Sequence, residues 1–164
     1  MTISGKKIIS SLLIIFLIVF QPLAIYAEEN INLKNEAINP GSFYYSFKRL
    51  WEKGVERLQF SRQSKITFYE SLLKTRLVEL NYVVENKLLS EVQTSSERFA
   101  YYAGILTQEL IKQNKNKEQT IEEFNQFSKF LENLRDKYPA NTSFWMLVQH
   151  DINTLSILSG RLKQ

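Results

Sequence analysis

Apolar residues recur at spacings of three and four along most of this chain. Phe43, Phe47, Leu50, Trp51, Val55 and Leu58 share one side of a first predicted helix, with Ser42 standing at its N-cap. Ile66, Tyr69, Leu73, Leu77, Leu80, Val84 and Leu88 mark a second helix of about seven turns, capped by Ser61 or Ser64. Ser90 and Gln93 form a capping box at the start of a third, which carries Val92, Phe99, Ala103, Leu106 and Leu110. A second capping box, Thr120 with Glu123, precedes Ile121, Phe124, Phe127, Leu131 and Leu134, and Pro139 closes that helix. Thr142 or Ser143 opens a fifth, striped by Phe144, Val148, Ile152, Leu155 and Leu158. No alternating β-branched run between turn pairs follows Ala27. The pattern therefore predicts an all-α fold, an antiparallel bundle of about five helices over residues 42–164 after an N-terminal signal helix. Gly54, inside the first helix, predicts close helix approach or an early end. Glu70 and Lys74, four apart, predict an ion pair on the wet side of the second helix.

The first 27 residues follow another rule. Lys6 and Lys7 precede an apolar run from Ile8 to Phe20, then Pro22 and Ile25-Tyr26-Ala27. A charged start, an apolar middle and a small final residue make a signal peptide cleaved after Ala27, so the chain is expected to be exported, periplasmic or extracellular. The alternative is an uncleaved membrane anchor, since the apolar stretch continues to Ala27 and approaches the ~20 residues that span a bilayer; Gln21 and Pro22 weigh against it. Residues 28–41 are polar and aperiodic, a flexible leader ending at the turn Pro40-Gly41.

Charge and composition then exclude several roles. There are 21 basic and 17 acidic residues, a net +4 that falls to +2 once Lys6 and Lys7 leave with the signal. Such a balance gives no reason to expect nucleic acid as a partner. With no cysteine, disulfides, thiolate metal sites, thiol nucleophiles and a lipid-bearing cysteine are all ruled out.

The remaining chemistry is sparse. His150, the only histidine, stands four residues after Met146 and beside Asp151, but two ligands do not make a metal site. No nucleophile-elbow pattern accompanies it, so neither catalytic residues, a cofactor nor a small-molecule substrate is expected. Glu122 and Glu123 are adjacent and point in different directions, which suits first-turn charges better than paired acid–base work. Asn141-Thr142-Ser143 matches a glycosylation sequon but reads more simply as a cap. Phe43, Tyr45, Phe47, Trp51, Phe99, Phe124 and Phe127 are assigned to the core, and Trp145, Met146 and Leu147 to the core centre or a partner contact. Tyr44, Tyr101 and Tyr102 do not all fit inside. With Arg76 and Glu79, either a partly solvated ion pair or a binding spot, they form a candidate contact patch for an envelope protein, a membrane surface or cell-wall glycan.

Pro40-Gly41-Ser42, Tyr45, Phe47-Lys48-Arg49, Trp51-Glu52, Phe60-Ser61 and Arg76-Leu77-Val78-Glu79-Leu80 together resemble the bacterial domain-of-unknown-function family 5667 over about residues 39–110. Phe43 and Tyr44 depart from the small turn residues common there. The resemblance implies an exported or membrane-tethered bacterial helical domain with no assigned activity and no catalytic residues to carry over. The expected function is thus a non-enzymatic helical domain acting by protein contact at the cell envelope. The alternatives are an envelope stress chaperone or metal-handling protein and, from another class, a hydrolase using His150.

Overall fold

Four of the apolar stripes close on one another to form a single core. A computed structural model describes residues 36–114 and 117–164; the signal segment 1–27, its cleavage point after Ala27 and its reading as an anchor lie outside the described residues. Those described residues form five α-helices and no strand: α1 Tyr45–Arg57, α2 Arg62–Glu85, α3 Leu89–Gln113, α4 Lys117–Arg135 and α5 Ser143–Leu162. Leu73, Leu77, Leu80 and Val84 of α2 meet Phe99, Ala103 and Leu106 of α3, Phe124, Phe127 and Leu131 of α4, and Val148 and Leu155 of α5 in one buried cluster.

Side-chain bonds fix the helix directions. Lys74 of α2 reaches Glu123 of α4 at 2.7 Å, and Tyr138 just past α4 donates to Val84 O near the end of α2 at 2.6 Å, so α2 and α4 run the same way. The turns of residues 86–88 and 136–142 reverse the chain, making α2–α3 and α4–α5 antiparallel hairpins. The first turn is a Schellman stop: Leu88 N–H reaches Val83 O at 2.9 Å and Lys87 N–H reaches Val84 O at 3.1 Å. It places Lys87 at φ 55°, a left-handed position usually held by glycine.

Helix starts differ in part from the sequence signals. Ser61 caps α2 by accepting Ser64 N–H at 3.0 Å, and Thr142 caps α5 by accepting Trp145 N–H at 3.4 Å, which gives the 141–143 triplet its capping role. Neither expected capping box forms. Leu88 is the N-cap of α3 with no side-chain bond, Gln93 bonds Glu97 instead, and Thr120 lies one turn inside α4 with its partner Glu123 held by Lys74. Serine or threonine three residues before a glutamate or glutamine also arises inside helices, where the backbone is already paired. Lys74 accordingly pairs across the bundle rather than with Glu70. Ser42 is not the cap of α1 either, whose N-cap is Tyr44.

The largest departure is α1, which is reversed about its own axis. Phe43, Phe47 and Trp51, assigned with Tyr45 to the core, face outward, as do Leu50 and Leu58 of the same stripe, Trp51 being 75% exposed and Phe43 81%. Of the aromatic set assigned to the core, only Tyr45, Phe99, Phe124 and Phe127 are buried. Gly54 lies on the outward side with nothing within 4 Å of an added Cβ, so it marks neither a close approach nor the helix end. Gly54→Ala is accordingly expected to raise stability by about 0.5–1 kcal/mol, because backbone freedom is reduced without any clash; urea denaturation followed by helix ellipticity reads the change.

Candidate functional site

Burying the polar side of α1 requires partners for every charge on it, and α2 supplies most of them, helped by residues 36–38 and by Tyr102 of α3. Arg76 and Glu79 stand three apart on α2 among Leu72, Leu73, Leu77, Val78 and Leu80, all enclosed, and Arg76 itself is 0% exposed. Arg76 donates to Glu79 Oε2 through one guanidinium nitrogen and to Glu52 Oε2 of α1 through the other. Glu79 completes its shell with Tyr45 Oη at 2.7 Å and Lys48 Nζ at 2.8 Å, both from α1. Glu52 also accepts from Arg49 at 2.7 Å. The planar fork of arginine suits this position because it serves two carboxylates in fixed directions, which an ammonium cannot.

Tyr45 lies at the centre of the joint. Its hydroxyl donates to Glu79 and accepts from Arg76 and Arg98, each at 3.1 Å, while the Arg98 guanidinium lies 5.3 Å from its ring. Burial, and then the Glu79 carboxylate, push this phenol far above the ordinary tyrosine value, so it remains a donor. Tyr102 of α3 closes the far side, with Arg49 and Arg76 stacked 5.6 and 5.7 Å from its ring and Arg49 bonded to its hydroxyl at 3.3 Å. Tyr69 of α2 donates to Glu56 at 2.9 Å and pins the end of α1. The pairs 45–79, 52–76 and 56–69 run in opposite order, so α1 lies antiparallel to α2.

The segment before α1 is fastened to the same joint. Glu36 accepts Lys48 Nζ at 2.8 Å and Thr75 at 3.3 Å, Lys48 also donates to Ile38 O, and Pro40 is buried. The part of the expected flexible leader from Glu36 onward is therefore held by side-chain bonds. Gly41, at φ 86°, takes the left-handed turn that brings the chain into α1.

This arrangement divides the expected contact patch. Tyr44 and Tyr101 are at the surface, whereas Tyr102, Arg76 and Glu79 are enclosed and join α1 to the bundle; the pair 76–79 is not partly solvated. The residues the patch omitted are Phe43, Phe47, Leu50, Trp51 and Leu58, joined at the surface by Phe60 at 86% exposure. Phe43 packs edge-on against Tyr44 at 5.6 Å and lies 6.3 Å from Phe47. A periodic stripe identifies a face but not its direction. The missing signal was the other side of α1, where Tyr45, Lys48, Arg49, Glu52 and Glu56 share a helical spacing and match Arg76 and Glu79, two ions set among the buried apolar residues of α2.

Elsewhere, His150 is exposed and Asp151 is fully buried, which separates the two residues that the sequence places side by side. Asp151 Oδ1 accepts Ser96 Oγ at 3.0 Å across α5–α3, and its Oδ2 has no hydrogen-bond partner. Trp145, half-buried, stacks 5.5 Å from the Arg135 guanidinium, and Met146 is exposed. Among the described residues, no group of three His, Asp or Glu is placed to hold a metal ion, and no helix is long and apolar enough to cross a membrane.

Comparison with known proteins finds no family model, no curated protein and no solved structure that matches the chain.

Proposed function

We propose that this chain is an exported, non-enzymatic helical module of the bacterial cell envelope that works by contact, and that the outward face of α1 is its working surface. The observation that carries this reading is the orientation of α1. A helix that turns Lys48, Arg49, Glu52 and Glu56 inward, onto a buried ionic joint, and Phe47, Leu50 and Trp51 outward, with Phe43 and Leu58 exposed at its two ends, is held as a presenting element. Exposed apolar surface of this kind is costly in water unless something covers it. The leader through Ala27 is the route to the envelope in this account. Kinship with domain-of-unknown-function family 5667 belongs to the same proposal, since Tyr45, Lys48, Arg49, Glu52, Arg76 and Glu79, six positions that carry the resemblance, are bonded together in one joint.

A photo-reactive amino acid placed at Trp51 tests the reading in intact cells. It is expected to give a reproducible adduct in the envelope fraction, while the same group at the exposed Asn153 of α5 gives none. Equal, negligible yields at both positions overturn the contact role.

A further inference from the structure

The two sides of α1 differ in charge as well as polarity. Both of its carboxylates are turned in, Glu52 to Arg49 and Arg76, Glu56 to Tyr69. Its outward and flanking cations, Lys53 and Arg57, are exposed, as is Arg62 at the start of α2, and none of the three makes an ion pair among the described residues. The surface thus combines aromatic and aliphatic groups with unpaired positive charge, and both α1 carboxylates lie away from its apolar stripe. Lys53 and Arg57 also line an open cleft of about 610 Å³ between the end of α1 and α2, together with Lys65, Phe60, Tyr69 and Glu56, so that three cations there face one carboxylate, itself held by the Tyr69 hydroxyl.

We propose that this face lies flat on an anionic phospholipid surface, with Phe47, Leu50, Trp51 and Leu58 entering the acyl boundary and lipid phosphates meeting Lys53, Arg57 and Lys65 at the cleft. The inference rests on the contact reading above and names the partner. A helix of 13 residues is about 20 Å long, too short to cross a bilayer but suited to lying in its interface. Tryptophan, tyrosine and phenylalanine beside lysine and arginine are the side chains that settle at headgroup level. A second copy of the chain fits less well. Two α1 helices packed apolar face to apolar face would bring Lys53 and Arg57 of each toward the other, and the one α1 carboxylate beside them, Glu56, is already held by Tyr69.

The test uses the absence of cysteine, which makes Gly54→Cys a unique labelling site in the middle of the stripe, with nothing within 4 Å. The full chain carrying an environment-sensitive fluorophore at that position is titrated with phosphatidylglycerol vesicles and with phosphatidylcholine vesicles. On phosphatidylglycerol the probe is expected to shift to the blue and to be quenched by nitroxide-bearing lipid, while a probe at Asn153→Cys stays in water. Replacing Lys53 and Arg57 by Gln is expected to weaken the response about thirtyfold. Unlabelled Trp51, observed with Trp145→Phe, is expected to show the same lipid-dependent blue shift. A water-exposed signal from both reporters on phosphatidylglycerol, or equal responses on the two lipids, overturns the inference. If the probe shifts without lipid as protein concentration rises, the partner is a second copy: the lipid assignment falls and the contact reading stands. Silence toward lipid and toward itself, joined by silent photo-crosslinking from position 51, removes both.

Discussion

Arg76→Leu is expected to destabilise the protein by about 3–5 kcal/mol, a large fraction of the roughly 5–15 kcal/mol that holds a domain of this size. The cause is the charge left behind more than the bonds removed. Glu79, almost wholly enclosed, and Glu52 would lose the cation between them, and Tyr102 would lose one of its two stacked guanidinium groups. Lys48 still serves Glu79 and Arg49 still serves Glu52, so the joint is weakened rather than emptied. Arg76→Lys keeps the charge but not the fork, and its loss should lie between wild type and Arg76→Leu. Urea denaturation followed by far-ultraviolet ellipticity measures both, and limited proteolysis within 36–57 shows whether α1 is released first. A change under about 1 kcal/mol for Arg76→Leu, the range of a surface ion pair, would contradict the buried joint.

Asp151→Asn should act in the opposite sense, stabilising the protein by more than about 1 kcal/mol at neutral and alkaline pH. Burial lifts the Asp151 carboxyl well above its ordinary value of 3.8, and the Ser96 hydroxyl bond offsets only part of that. The sign follows from proton binding. Above the ordinary value, the folded state holds a proton on Asp151 that the unfolded state has released, so its contribution to stability is fully present below about pH 4 and is lost as pH rises through the raised folded value. The amide of the Asp151→Asn variant keeps an oxygen for Ser96 and has no proton to lose. The difference between variant and wild type in pH-dependent denaturation should therefore be small in acid and grow as pH rises. A constant difference across the range would place Asp151 in contact with water or a cation.

How much of this was readable from residues alone depends on what each stripe packs against. The faces of α2 to α5 were legible because they meet one another: Leu73, Leu77 and Leu80, Phe99 and Leu106, Phe124 and Leu131, Val148 and Leu155 are all enclosed as their periodicity predicts. The direction of α1 was not, because the usual rule turns an apolar stripe inward and here two buried ions on α2 override it. A buried arginine and glutamate need partners that only the charged side of α1 offers, and that requirement outweighs the gain from covering Phe47 and Trp51. Asp151 was legible in principle. It lies three residues after Val148 and four before Leu155, on the buried face, yet its neighbour His150 invites a metal reading that the helix geometry separates.

Hydroxyl-radical footprinting of the unmodified protein tests the central claim, that α1 turns Tyr45 and its ion-paired side inward and Phe47 and Trp51 outward, at every ring at once. In dilute solution without lipid, Phe43, Phe47, Trp51 and Phe60 should oxidise rapidly, while Tyr45, Phe99 and Tyr102 stay protected until urea unfolds the bundle. Protection of Phe47 and Trp51, with Tyr45 oxidised as fast as an exposed tyrosine, would contradict it.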